Sequence, residues 1–174
     1  MAILIRASAK SLAQLAVNND ELNEAFKTAT DELKGLGTPL VFLQHAALGK
    51  TNLKYGKNSP VAKQIYKSPE FISTIKSFTA PQCIKALIQF NKSKHLHAAF
   101  LDATLFGEVV CKNGSFVYKG YLYDEYDFKK SSNAKVKSAF GKMLRKLGNK
   151  ASELQKAGIL RPYKIRVDLD FSWK

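Results

Sequence analysis

Several groups that would make a function easy to recognise are scarce in this sequence. Two cysteines, Cys83 and Cys111, stand far apart with no CxxC spacing, which gives neither a disulfide framework nor a thiolate metal site a basis. Both have apolar neighbours, on segments that read as a helix and a strand, and are expected to be packed free thiols. Three histidines, His45, His95 and His97, are too few and too separated to suggest zinc. Long apolar runs are missing as well: residues 39–48 are interrupted by Gln44 and His45 and are too short to cross a bilayer. The opening MAILIRAS carries a single charge and leads into a polar helical stretch, unlike the order of a secretory signal. No internal repeat or low-complexity segment is visible.

Acidic residues are the last scarcity, with 14 Asp and Glu against 28 Lys and Arg, a formal charge of +14. Residues 129–174 hold 13 basic and 3 acidic positions, so about +10 of that excess follows one short acidic cluster. Such asymmetry points to an anionic partner, whether nucleic acid, an anionic membrane surface or a phosphate-bearing substrate; a solvated basic face is the plainer alternative. At 174 residues with 45% hydrophobic content, the chain suits a single domain over 1–174 with a real core.

Residues 1–92 read as a helical part. Leu12, Leu15 and Ala16 form a short apolar face, and Leu22, Phe26, Ala29 and Leu33 recur at helical spacing until Gly35. Residues 39–48 lean to helix, and 49–58 read as a loop rich in Lys, Asn and Gly. Ser59-Pro60 and Ser68-Pro69 each set a capping hydroxyl before a proline suited to the first helical position. The second starts a helix with Phe71, Ile72, Ile75 and Phe78 inward, and Pro81 is expected to start another with Ile84, Leu87, Ile88 and Phe90.

Residues 93–174 read as the β-rich part, with strands over 96–105 and 107–112 and a tight hairpin at Asn113-Gly114. Residues 115–126 continue as a strand with aromatics on both faces, which places it centrally. A basic helix with Val136, Phe140, Met143, Leu144 and Leu147 along one side follows, and residues 163–173 alternate as a half-buried strand. The expected class is α+β: an N-terminal helical layer packed on a mainly antiparallel, curved C-terminal sheet with one basic helix.

Asp124, Tyr126 and Asp127 crowd into four positions where the central strand ends. On an ideal strand Asp124 and Tyr126 share a face and Asp127 points opposite, so convergence of all three requires the strand to bend or stop there. Given that bend, the pair of acids could hold Mg²⁺ through oxygen ligands, or one acid could act as nucleophile or general base. A strand end leading into a helix cap explains the same string equally well.

The run NGSFVYKGYLYDEYDF, with the LRKLG helix and a Tyr-containing last strand after it, resembles the activity domain of the colicin M family of lipid II-degrading bacteriocins over roughly residues 105–170. That family carries an NGSW-type hairpin and a D-x-Y-D-F motif, with a His-Arg pair a few residues on. The resemblance implies Asp124, Tyr126 and Asp127 as catalytic residues and Asp124 as ligand of Mg²⁺ or another divalent cation; Lys129, Lys130, Asn133 and Lys135, on the stretch that follows, are the candidate substrate contacts, with a lysine in place of the family's Arg. The same resemblance implies metal-dependent hydrolysis of the undecaprenyl-pyrophosphate linkage of lipid II at the inner membrane surface. A cognate immunity protein and a secretion or carrier protein that delivers the domain to the periplasm are implied too. The chain departs from the pattern where the family's His falls on Asn133 and its Arg on Ala134. His95 or His97 could then supply the imidazole; otherwise the scaffold takes another substrate, or binds without catalysis. A basic toxin nuclease acting on RNA is the alternative outside the family, although no nucleic-acid-binding motif is present.

Overall fold

Asn113 and Gly114 adopt positive φ angles of 50° and 72°, the geometry of a two-residue hairpin turn, with Lys112 opposite Ser115. From this turn the register of the sheet can be followed outward. The computed structural model describes residues 42, 45, 52–100, 102–127, 149, 152, 153, 155, 156, 158 and 160–174. Expected helices over 12–33 and 133–147 lie outside them. The chain divides into two compact units, Asn52–Tyr126 with Lys164–Lys174, and Met1–Thr51 with Asp127–Tyr163.

The first of these units holds the sheet. Its elements are β1 (Leu53–Tyr55), α1 (Pro60–Lys67), α2 (Pro69–Lys76), β2 (Gln82–Gln89), α3 (Lys94–Phe100), β3 (Asp102–Lys112), β4 (Ser115–Tyr126) and β5, which runs over Tyr163–Trp173 and so begins one residue before the unit does. Five strands in the order β1-β5-β4-β3-β2 form an open, curled, mixed sheet, and the class is α+β. The β2–β3 and β3–β4 pairs are antiparallel, and β1 runs parallel to β5 with Leu53 opposite Ile165. β4 is the central strand, as its two aromatic faces predict.

Both Ser-Pro helix starts form as expected: Ser59 Oγ accepts from the Ala62 N–H at 3.2 Å, and Ser68 Oγ from the Phe71 N–H at 3.2 Å. The helices pack on the inner face of the sheet through Phe71, which is fully buried with its ring 6.3 Å from Tyr118 and 5.4 Å from Phe171. Phe78, expected inward, lies two residues beyond the end of α2 and is half-buried.

Several expectations are corrected. Residues 82–89 are strand β2 rather than a helix: Ile84 and Ile88 are buried on one face while Leu87, which completed the helical spacing, is 62% exposed. Residues 94–100 are helix α3 rather than the start of a strand, and the two strands expected over 96–112 are one, Asp102–Lys112. Cys83 and Cys111 are free but exposed, because each falls on a solvent-facing strand position. The loop expected over 49–58 also contains β1.

In the second unit Phe42 and His45 are helical, as are Asn149, Ser152, Glu153, Gln155 and Lys156. Tyr163 Oη donates to the Phe42 carbonyl at 2.7 Å, and the Tyr163 ring lies 4.6 Å from that of His45.

Candidate active site at the end of the central strand

Alternation along β4 decides which of its side chains can meet. Tyr118 and Leu122 are buried on the inner face, and Asp124 and Tyr126 continue that face, both half-buried. Val117, Lys119, Tyr121, Tyr123 and Glu125 project to the other side. Asp124 is therefore no helix cap: it lies inside a strand, one residue beyond the registered pair Thr104–Tyr123. The strand stops at Tyr126, and Asp127 follows as irregular backbone, half-buried. The break that convergence requires is thus located between Tyr126 and Asp127.

Burial pushes the Tyr126 phenol well above its ordinary value, and the Asp124 carboxylate beside it pushes in the same direction. Tyr126 consequently stays protonated through the neutral range. A protonated phenol can donate to a phosphate oxygen, whereas a carboxylate on the same face meets such a group only through a cation.

Upstream of this pair, β3 and β4 approach each other closely at two glycines. Gly107 and Gly120 face each other across β3 and β4, and Tyr118 folds over both. A methyl on Gly120 would lie 2.6 Å from Tyr118 Oη and 2.7 Å from Gly107 Cα, and closer still to the Phe106 carbonyl oxygen. With no Cβ at either position, Tyr118 Oη reaches the Phe106 carbonyl and donates at 3.0 Å. The aromatic ring covers the two backbones where neither has a side chain of its own.

His95 and His97 sit on α3, not on a strand. His95 is exposed; His97 is half-buried, and its Nδ1 is buried without a hydrogen-bond partner. Lys129, Lys130, Asn133 and Lys135 lie outside the described residues. Among the described residues no three of His, Cys, Asp and Glu gather as a ready cage for a cation.

Two features carry no distinctive signal in the sequence. One is a transverse row on the open face: Lys54 and Arg166 are paired in register, Arg166 Cζ lies 3.9 Å from the centre of the Tyr121 ring, Tyr121 stacks on Phe106 at 5.4 Å, and Lys85 Nζ lies 5.8 Å over Phe106. The other is Glu70, whose Oε1 accepts from the backbone N–H of Lys92 and, at 3.0 Å, of Ser93, while Oε2 accepts from Ser93 Oγ at 2.8 Å. These bonds tie α2 to the start of α3 across more than twenty residues of sequence, a separation that local pattern cannot reveal.

No family model and no curated protein matches the sequence. A solved structure described as PaeM, a colicin M-like bacteriocin produced by Pseudomonas aeruginosa, is similar, with a TM-score of 0.37 and 17% identity. The alignment covers 79% of this chain and 51% of that one, so this chain spans about half the length of that bacteriocin.

Proposed function

We propose that the chain is a toxin domain of colicin M type that hydrolyses the bond between undecaprenyl and pyrophosphate in lipid II and so blocks peptidoglycan synthesis. One observation supports this above the others: Asp124 and Tyr126 lie together on the inner face at the end of the second hairpin strand, where the resemblance puts the family's essential acid and phenol. In this reading the Tyr126 phenol, held protonated, donates to a phosphate oxygen. The Asp124 carboxylate orients the attacking water and accepts its proton, and Asp127, the next acid in the chain, is the third member of the set.

The donor set suits a hard cation, since Mg²⁺ takes one or two protein carboxylates and completes its shell with water and substrate phosphate. Asp124 is the residue that would hold it, and the ion would neutralise charge on the pyrophosphate. Delivery to the periplasm by a carrier, and inhibition by a cognate immunity protein, belong to the same proposal.

The test is incubation of purified lipid II with the protein and Mg²⁺, with Asp124→Ala beside it. Release of undecaprenol by the native protein and its loss in the variant are expected, together with toxicity on export to the periplasm and none in the cytoplasm. Intact lipid II after exposure to excess protein, or degraded RNA in cells expressing the protein in the cytoplasm, would overturn the proposal.

A further inference from the structure

The two edges of the sheet are finished differently. β1, at one edge, is three residues long and carries Lys54, and an edge that short offers little for another strand to pair with. β2, at the other, runs over Gln82–Gln89, and its register with β3 continues without a bulge from Gln82 opposite Val109 to Gln89 opposite Asp102. Pro81 precedes this strand, no proline interrupts it, and Lys85 is its single charge. Among the described residues no strand pairs with the far side of β2, which leaves a row of backbone N–H and C=O groups open to one more strand. Leu87 lies on this same strand, 62% exposed, and is the one large apolar side chain so placed among the described residues.

What fits such an edge is an extended strand, and β2 is its own complement. Two copies paired antiparallel keep their buried faces on one side only if directly opposed residues share a face, which leaves three central registers. Centring the pair on Lys85 sets two ammonium groups directly opposite one another, an unfavourable arrangement. Centring it on Leu87 pairs Ile84 with Phe90 and Cys83 with Asn91, both beyond the end of the strand at Gln89. Centring it on Ala86 keeps every pair from Cys83 to Gln89 within β2: Ile84 opposite Ile88, Lys85 opposite Leu87, and Cys83 opposite Gln89, each twice. We propose that the chain associates with a second copy of itself through β2, antiparallel and centred on Ala86, to form one continuous sheet across both copies. Leu87 then lies along the aliphatic stem of the second copy's Lys85, whose ammonium stays in water, and the β-branched pair Ile84–Ile88 continues the buried face. The inner faces of both copies, with Asp124 and Tyr126 on them, share one side of the combined sheet. The proposal does not depend on the lipid II reading.

One strand pair is smaller than the interfaces of permanent dimers, so a dissociation constant on the order of 10–100 µM is expected. Each copy carries +14, and screening that repulsion should tighten the dimer as salt rises. The test is sedimentation velocity of the full chain under reducing conditions, over about 1–500 µM at ~0.15 and ~0.5 M salt. Leu87→Lys sets a second ammonium opposite Lys85 and is expected to weaken the dimer at least about tenfold, whereas Leu87→Glu sets a carboxylate there and should stay within about threefold of the native chain. Because Leu87 is exposed, both variants should keep the native thermal unfolding temperature. In a Cys111→Ser background, Gln89→Cys places the introduced thiol opposite Cys83 of the second copy, and mild oxidation is expected to link the two. Without Gln89→Cys no link should form, since the two Cys83 residues would lie about 20 Å apart along the strands. A chain that stays monomeric throughout, equal weakening by Leu87→Lys and Leu87→Glu, or no linkage in the Gln89→Cys chain would each overturn the proposal. So would slow amide exchange along the far side of β2 in the dilute monomer, since another part of the same chain would then already cover that edge.

Discussion

Gly120→Ala offers the sharpest test of how the sheet is held. The added methyl meets two groups that cannot yield cheaply, the Phe106 carbonyl and Gly107 Cα at 2.7 Å, along with Tyr118 Oη at 2.6 Å. Forcing β3 and β4 apart locally has the character of overpacking, about 1–3 kcal/mol. Displacing Tyr118 Oη from the Phe106 carbonyl leaves a hydroxyl without its partner and adds about 1–2 kcal/mol. The total, about 2–5 kcal/mol, is a large part of the 5–15 kcal/mol typical of a domain. Urea unfolding followed by tryptophan fluorescence, which the single tryptophan, Trp173, makes readable, should show a midpoint lower by about 1–2.5 M at an m-value of about 2 kcal/mol/M. Gly56→Ala, with open space around it, is the control and should leave the midpoint in place. Combining Gly120→Ala with Tyr118→Phe should cost about 1 kcal/mol less than the sum of the two, since the hydroxyl is then lost only once. A Gly120→Ala midpoint within about 0.3 M of the native protein would refute the argument, because no backbone could absorb that overlap so cheaply.

Three other outcomes follow from the same contacts. For Glu70, burial alone would raise the carboxyl, but the bonds from its own backbone, Ser93 and Lys92 outweigh it and hold the group below its ordinary value; its contribution is present above the usual carboxylate pKa and fades as pH falls through the lowered one. Glu70→Gln should therefore cost about 0.5–1.5 kcal/mol at neutral pH and flatten the acid limb of stability between pH 5 and 3, as measured by urea midpoints. In an alkaline absorbance titration Tyr118 and Tyr126 should ionise well above the ordinary tyrosine range, and Asp124→Asn should bring Tyr126 down by removing the carboxylate that helps raise it. Arg166→Lys should cost about 0.5–1 kcal/mol, because an ammonium cannot both lie flat on Tyr121 and keep the 2.7 Å bond to Asp168; an unchanged midpoint would mean that the row on the open face adds nothing to stability.

What could be read from the sequence was local in origin. The hairpin, the two serine-capped helices and the final alternating strand each rest on residues within a few positions of one another, and each formed where expected. The two misassigned segments share one ambiguity. Ile84, Leu87 and Ile88 satisfy the helical spacing i, i+3, i+4, but Ile84, Ala86 and Ile88 satisfy the strand spacing equally, and only the exposure of Leu87 decides between them. For α3 the deciding signal was available: Asn91-Lys92-Ser93 breaks the chain in polar residues, and Leu96, Ala99 and Phe100 then recur at helical intervals. The shared face of Asp124 and Tyr126 followed from strand periodicity alone. The Gly107–Gly120 contact and the Glu70 tie depend on register and on long-range closure, which no window along the chain contains.

The fifth strand in chain order lies in the interior of the sheet. β5 inserts between β1 and β4, and the chain reaches it only after passing through the second unit over residues 127–163. Until β5 is in place, β1, three residues long, has no neighbour to pair with, and β4 presents a bare edge. β5 is thus the link that joins β1 to the rest of the sheet, and a sheet that lost it would lose two of its five strands.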